Sequence, residues 1–357
     1  MSLKISRTAC CIKVFSTFLA FFIAFALFAQ DYSPYLTKTL EGIDIRNADL
    51  LTSGGSIYVS GNAAEKPRLE VYIRGNNNKQ YSKSEIEQLL NDKYELVIET
   101  SSNKVKAHAN KKGSWNDWKN ALSISYKLYV PAKVNSLLRT SGGSITLISL
   151  DGNQDFSTSG GSLSVDMVKG LVNGRTSGGS IGVKGSEGTL NLSTSGGSIS
   201  AEGCKGNIDL ATSGGSLKLE NLEGKIEATT SGGSILIQNV KGDLVTKTSG
   251  GSIRVTRMKG SIDAGTSGGS VSVDMEELGS YVKLRTSAGG IDIVLPSGKG
   301  LDLDLSGMKV NVQQLNNFSG SSTNSQIRGT LNGGGLPVSA KASAGRVTLS
   351  FSGKSAM

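Results

Sequence analysis

The chain has 357 residues, 47 of them glycine, with 38 basic side chains against 29 acidic ones, one histidine and three cysteines. Glycine is near twice its ordinary usage but does not recur every third residue, which excludes collagen, and a hydrophobic fraction of 37% argues against a disordered chain. The cysteine and histidine counts exclude a disulfide-stapled or multi-zinc module and leave most histidine-based catalysis without its residues.

Residues 1–29 read as a secretory signal peptide. Lys4, Arg7 and Lys13 precede an apolar run from Val14 through Phe28, and Ala29 offers a small residue for cleavage before Gln30. The run is short for a membrane span and no basic stop follows it, so no transmembrane segment is expected after cleavage. The expected location is the periplasm, the outer membrane or the exterior. Cleavage leaves 35 basic against 29 acidic residues, a net of +6. That surplus is modest for this length and fits solvated side chains rather than nucleic-acid binding. Cys204 is then the one thiol left, and the exported chain must hold together without an internal disulfide.

Residues 30–139 hold a first copy of a hexapeptide, Thr52-Ser53-Gly54-Gly55-Ser56-Ile57, and then a stretch without it. Ser82-Lys83-Ser84-Glu85 is a capping-box pattern followed by Ile86, Leu89 and Leu90, which predicts a short helix near 82–92. Alternation predicts strands at Tyr94–Thr100, Lys104–Ala109 and Ala121–Val130. His108 stands among Lys104, Lys106, Lys111 and Lys112 with no second histidine or cysteine, so it reads as a solvated strand residue rather than a metal ligand. Trp115 and Trp118 are the only tryptophans. Paired aromatics on a loop can stack on sugar rings or anchor a protein partner, and the alternative is cap core.

Residues 140–291 are governed by the hexapeptide. It returns at Thr140, Thr158, Thr176, Thr194, Thr212, Thr230, Thr248 and Thr266, every 18 residues, and once more in drifted form at Thr286-Ser287-Ala288-Gly289-Gly290-Ile291. A fixed period means a repeat architecture. Within each unit the apolar residues alternate by two, as at Ile181 and Val183, and a second strand follows a single glycine such as Gly188. Two short strands cannot bury a core alone, so like strands of successive units must pair. The prediction is an all-β fold, a parallel β-solenoid of 18-residue coils, with each residue stacked on its counterpart about 4.8 Å along the axis.

That register makes columns. Eleven residues after each threonine stand Asp151, Lys169, Glu187, Lys205, Glu223, Lys241 and Lys259, and signs alternate along six of these seven positions, so that most stacked neighbours would attract. Fifteen residues after stand Asp155, Asn173, Asn191, Asp209, Glu227, Val245 and Asp263. Asp209 and Glu227 would be adjacent, and two close carboxylates can serve acid and base roles in polysaccharide cleavage. An ordinary Asn/Asp hydrogen-bonded ladder is the reading we favour. Cys204 falls in an apolar column with Leu222 and Val240 and reads as a buried hydrophobe. The Thr-Ser-Gly-Gly-Ser corner lacks the lysine and helix of a phosphate loop and the aspartates of a calcium roll, so no cofactor is implied. Hydroxyls bracketing a corner also lack the flat face that ice binding needs.

Residues 292–357 relax the period, with strands expected at Ile291–Leu295, Leu301–Leu305, Lys309–Val312, Gln326–Leu331 and Arg346–Phe351, and a mobile polar loop at Asn316–Asn324. A bare solenoid end would expose core and strand edges. The two flanking regions therefore read as an antiparallel N-terminal cap with one helix and a β C-terminal cap.

The Thr-Ser-Gly-Gly-Ser-Ile repeats with intervening Gly-x-Ile, behind a signal peptide, resemble the bacterial candidate-adhesin family of β-strand-repeat domains of unknown function. The likeness spans roughly residues 40–357 and is strongest over 140–291. The resemblance implies an exported parallel β-helix with an adhesive role and carries no catalytic residues over. The functional expectation is a non-enzymatic adhesin or envelope binding or structural protein that presents Ser/Thr and charged ladders to a glycan, an envelope component or another protein. The alternative is a carbohydrate-active solenoid enzyme using Asp209 and Glu227.

Overall fold

The eighteen-residue period of the sequence is a strand register in the folded chain. The computed structural model describes residues 33–76, 79–113 and 121–353; the expected signal peptide and Trp115 and Trp118 lie outside the described residues. Ile145–Ile148 pairs in parallel with Leu163–Asp166, which pairs with Ile181–Lys184, each residue opposite its counterpart 18 positions on. The second strands do the same, Lys169–Thr176 against Glu187–Thr194 and then Lys205–Thr212. From Leu217 onward the two strands of a coil run together as one bent strand, as in Ile235–Thr248 and Ile253–Thr266. The interval of 20 residues before Thr286 is absorbed by register shifts between Val255 and Ile262, after which Thr266 again faces Thr286.

Each coil from the one opening at Thr140 to the one opening at Thr248 bends at three places. The first is the Ser-Gly-Gly-Ser corner. The second is a left-handed residue nine positions after the threonine, held by Ser149, Met167, Asn221, Asn239 and Arg257 at φ 53–57° and by Gly185 and Gly203 in between. The sequence reading did not anticipate this bend. The third is the single glycine of each unit: Gly188 has φ +125°, and a Cβ there would drive into the carbonyl oxygen of Gly170 on the preceding coil. Inward aliphatics fill the lumen between the bends, and Ile181, Ile199, Leu217, Ile235 and Ile253 are all buried.

Both ends are closed by coils that sit out of chain order. Lys104–Lys111 stacks in parallel on Asn47–Leu51, and Leu122–Tyr129 on Ile57–Ser60, so this later coil lies outside the first one. Antiparallel strands then cover it: Tyr94–Thr100 pairs with Lys104–Lys111, and Arg68–Gly75 pairs with Leu122–Tyr129 and with Leu36–Thr39. The helix, Lys83–Lys93, begins at the expected capping box, in which Ser82 accepts from the Glu85 backbone N–H while Glu85 accepts from that of Ser82. At the other end Leu336–Ala342 is inserted between Val271–Thr286 and Leu301–Ser306. Arg346–Ser352 is likewise inserted between Ile291–Pro296 and Lys309–Val312.

One expectation is overturned here. The loop expected over Asn316–Asn324 contains a strand, Phe318–Ser322, antiparallel to Gln326–Leu331. Its sequence, Phe-Ser-Gly-Ser-Ser, has no apolar alternation; backbone pairing and the half-buried Phe318 hold it in place.

Candidate functional site

The threonine of each repeat lies at the edge of the lumen. Thr176 Oγ1 donates to the Gly161 carbonyl at 2.7 Å and accepts from the Gly179 backbone N–H at 3.3 Å. The same pair of bonds recurs at Thr158, Thr194, Thr212, Thr230, Thr248, Thr266 and Thr286. Each hydroxyl thus ties its own corner to the corner beneath. The expected display of threonine hydroxyls is corrected accordingly: the repeat threonines are only 3–7% exposed and their hydroxyls are used within the fold. The last serine of the motif is exposed but also engaged, as where Ser162 Oγ accepts from the Ser180 backbone N–H at 3.3 Å. The serines just after the threonines, such as Ser159 and Ser177, are exposed.

The charged column stacks as the period requires. Glu223 lies 3.5 Å from Lys205 and 3.3 Å from Lys241, and Lys169 lies 3.8 Å from Glu187. Hydrogen bonding from Lys241, reinforced by the charges of Lys241 and Lys205, holds the Glu223 carboxyl below its ordinary range. These pairs are solvated, so they pattern the surface more than they stabilise it.

In the carboxylate column Asn191 Nδ2 donates to Asn173 Oδ1 at 2.8 Å, the expected ladder bond. Asp209 stands opposite Glu227 in register. Both are exposed on an open sheet face. What desolvation the Asp209 carboxyl has, joined by the neighbouring negative charge of Glu227, raises its pKa. The pair lies on exposed positions of the stack.

His108 corrects a second expectation. Its Nε2 lies 2.8 Å from Asp49 Oδ1, while Lys104 Nζ lies 3.0 Å from Asp49 Oδ2. The imidazole is half-buried and joins the cap coil to the first repeat coil. Hydrogen bonds from His108 and Lys104 outweigh partial desolvation and lower the Asp49 pKa. Cys204 is fully buried, as expected, with Sγ directed at the Glu202 carbonyl at 3.4 Å, and burial pushes its thiol pKa up. Among the described residues no cluster of three His, Cys, Asp or Glu side chains is placed to hold a metal ion, and no helix is long and apolar enough to cross a membrane.

One surface went unread in the sequence. Tyr58 and Tyr129 lie with ring centroids 5.9 Å apart, and the Arg68 guanidinium sits 3.9 Å over Tyr129 while bonded to Glu70 at 2.7 Å. Lys127 covers Tyr72 at 4.8 Å. Burial and the Glu70 carboxylate push the Tyr72 hydroxyl up to about 12. These residues are far apart in sequence and meet because Ile57–Ser60, Leu122–Tyr129 and Arg68–Gly75 are adjacent strands. Their outward alternation was the available signal.

Fold and surface together define a nearly all-β protein of stacked parallel coils. The sequence matches the Toastrack DUF4097 family over residues 70–350, and the chain belongs to that family of domains of unknown function. The resemblance read from the repeats is thereby borne out. No curated protein matches the sequence. Among solved structures the chain is similar to a candidate cell adhesion protein from Clostridium sporogenes, at 13% identity over 89% of this chain and 98% of that one, with a TM-score of 0.20. It is also similar to a candidate adhesin from Bacteroides fragilis, at 12% identity over 88% and 96%, with a TM-score of 0.26. A third is a candidate lipid binding protein from Parabacteroides distasonis, at 14% identity over 73% and 93%, with a TM-score of 0.29. Likenesses this distant assign no function to this chain.

Proposed function

We propose that the chain is an exported, non-enzymatic repeat protein, an adhesin or an envelope binding or structural protein, whose rigid solenoid holds charged ladders and exposed serines at fixed spacing before a partner. In this reading residues 1–29 direct export, 140–291 form the displayed shaft, and 30–139 and 292–357 close its ends. The observation that carries it is a division of labour inside the eighteen-residue unit. The repeating threonine, the second glycine and the inward aliphatics are spent on contacts between coils. Outward positions differ from coil to coil, as in the column Ser164, Gly182, Ser200, Lys218, Leu236 and Arg254. A uniform interior with a varied exterior suits presentation to a glycan, an envelope component or another protein. Retention of the purified protein on isolated bacterial envelopes or a glycan array, above an unrelated exported control, is the expected result, and retention equal to the control would count against adhesion. Cell fractionation with N-terminal sequencing tests export.

The carbohydrate-active alternative is favoured by one observation, the raised Asp209 carboxyl beside Glu227. Polysaccharide turnover that disappears in Asp209→Asn and Glu227→Gln would support it. Turnover that survives both removes it.

A further inference from the structure

We propose that a groove along the Thr-Ser-Gly-Gly corner binds a glycan bearing isolated carboxylates, with Arg175 taking the carboxylate; this deepens the adhesive reading above and rests on it. The side chain just before each repeat threonine points outward, and register places Ser157, Arg175, Ser193, Ala211, Thr229 and Lys247 in one line. Two depressions follow that line, one of about 470 Å³ from Ser157 to Ser213 and one of about 330 Å³ from Thr229 to Arg285. No carboxylate lines either of them.

The column contains its own control for charge. Arg139 near one end is paired with Asp155 at 2.8 Å, and Arg285 at the other with Asp263 at 2.8 Å. The carboxylate in each case comes from the column two residues before the arginine column. At Arg175 that column offers Asn173 and Asn191, already bonded to each other, and on the preceding coil Asp155, which is engaged by Arg139. Among the described residues Arg175 has neither an ion pair nor a hydrogen bond, and it stands between the small hydroxyl-bearing Ser157 and Ser193. A guanidinium presents a planar fork of donors that matches a carboxylate. Coil spacing of about 4.8 Å puts hydroxyls on both sides of it.

The neighbouring groove sets the charge density of the ligand. Beyond Ser193 the floor is Ala211 and Thr229, small and neutral, leaving room for a sugar ring. Asp209 and Glu227 border this stretch. They can accept hydrogen bonds from sugar hydroxyls and would repel a second close anion. An acidic sugar at Arg175 followed by neutral ones fits; a densely sulfated chain does not.

Calorimetric titration of the full protein with hyaluronan hexasaccharide, chitohexaose and a heparin-type hexasaccharide tests the assignment. The expected order is hyaluronan first, with chitohexaose at least about tenfold weaker. Arg175→Gln is expected to lose about tenfold for hyaluronan while leaving chitohexaose and the urea midpoint unchanged. Arg139→Gln, whose guanidinium is already paired, is expected to bind like the parent. Equal hyaluronan binding by Arg175→Gln, an equal loss in Arg139→Gln, tighter binding of the sulfated chain, or no hyaluronan binding at millimolar concentration would each overturn the proposal. Envelope retention measured in parallel separates the two claims: retention without hyaluronan binding removes the groove and leaves adhesion standing.

Discussion

Alanine at the first and second glycines of one corner should have opposite effects. At Gly178 an added Cβ would meet nothing closer than the Ser159 carbonyl at 3.6 Å, and the backbone there needs no positive φ. The chain already carries alanine at this place twice. Ala288 and Ala344 keep the corner's backbone bond, donating to the Ser267 and Ser287 carbonyls at 3.0 and 2.9 Å as Gly178 donates to Ser159 at 2.9 Å. Gly178→Ala is therefore expected to change stability between nothing and a gain of about 1 kcal/mol, through the entropy of the unfolded chain. At Gly179 the Cβ would drive into the carbonyl oxygen of Gly161, the same atom that accepts from Thr176 Oγ1. Relief requires two coils to part, which adds about 1–3 kcal/mol of overpacking to about 1 kcal/mol for each hydrogen bond lost. Two such bonds are at stake, so Gly179→Ala should cost about 3–5 kcal/mol. Urea midpoints by far-ultraviolet circular dichroism give the two values. Amide exchange should show loosened protection in the coils on either side of Gly179. Equal losses from the two variants, or an unperturbed Gly179→Ala, would refute the argument that stacking dictates the second glycine.

Met167→Gly and Arg257→Gly should each stabilise by about 0.5–1.5 kcal/mol by relieving left-handed backbone at φ 53° and 55°, whereas Asn221→Gly should change little because asparagine tolerates that conformation; urea midpoints compare the three. Asp49→Asn should destabilise the N-terminal cap by about 1 kcal/mol at neutral pH. Because the folded Asp49 pKa is lowered, its contribution is complete above the unfolded value near 4 and is lost as pH falls through the folded one, so the gap in melting temperature between parent and variant should close in acid. Asp209 has the opposite sign: its folded pKa is raised, so its ionisation penalises the fold above that pKa and not below the unfolded one. Asp209→Asn should therefore raise the melting temperature at pH 7 but not at pH 3, and Glu227→Gln should lower the Asp209 pKa in a carboxyl NMR titration.

The shaft was legible because its contacts are local in the repeat frame: once Thr158 lies over Thr140, eighteen residues fix every neighbour, Lys169 against Glu187 and Cys204 into the lumen alike. The ends were not, for a physical reason. A strand such as Leu336–Ala342, with Val338, Ala340 and Ala342 inward, would satisfy any slot of the second-strand stack, and nothing in its own residues says that it slides between Val271–Thr286 and Leu301–Ser306. The same ambiguity hid Lys104–Lys111 as a parallel coil outside the first repeat, and with it the contact of His108 with Asp49, 59 residues away. Phe318–Ser322 escaped notice because backbone pairing alone makes it a strand. Arg175 escaped because a missing partner is visible only after the stack has shown that Asn191 occupies the place from which Asp155 serves Arg139, and that Asp155, on the coil before Arg175, is already taken by Arg139. Out-of-order insertion also protects the rod. A coil held between two others cannot peel from the end as a terminal repeat would, and antiparallel strands cover both strands of the N-terminal cap coil and the Leu301–Ser306 edge, so those edges no longer offer the parallel register on which another coil of this chain could stack.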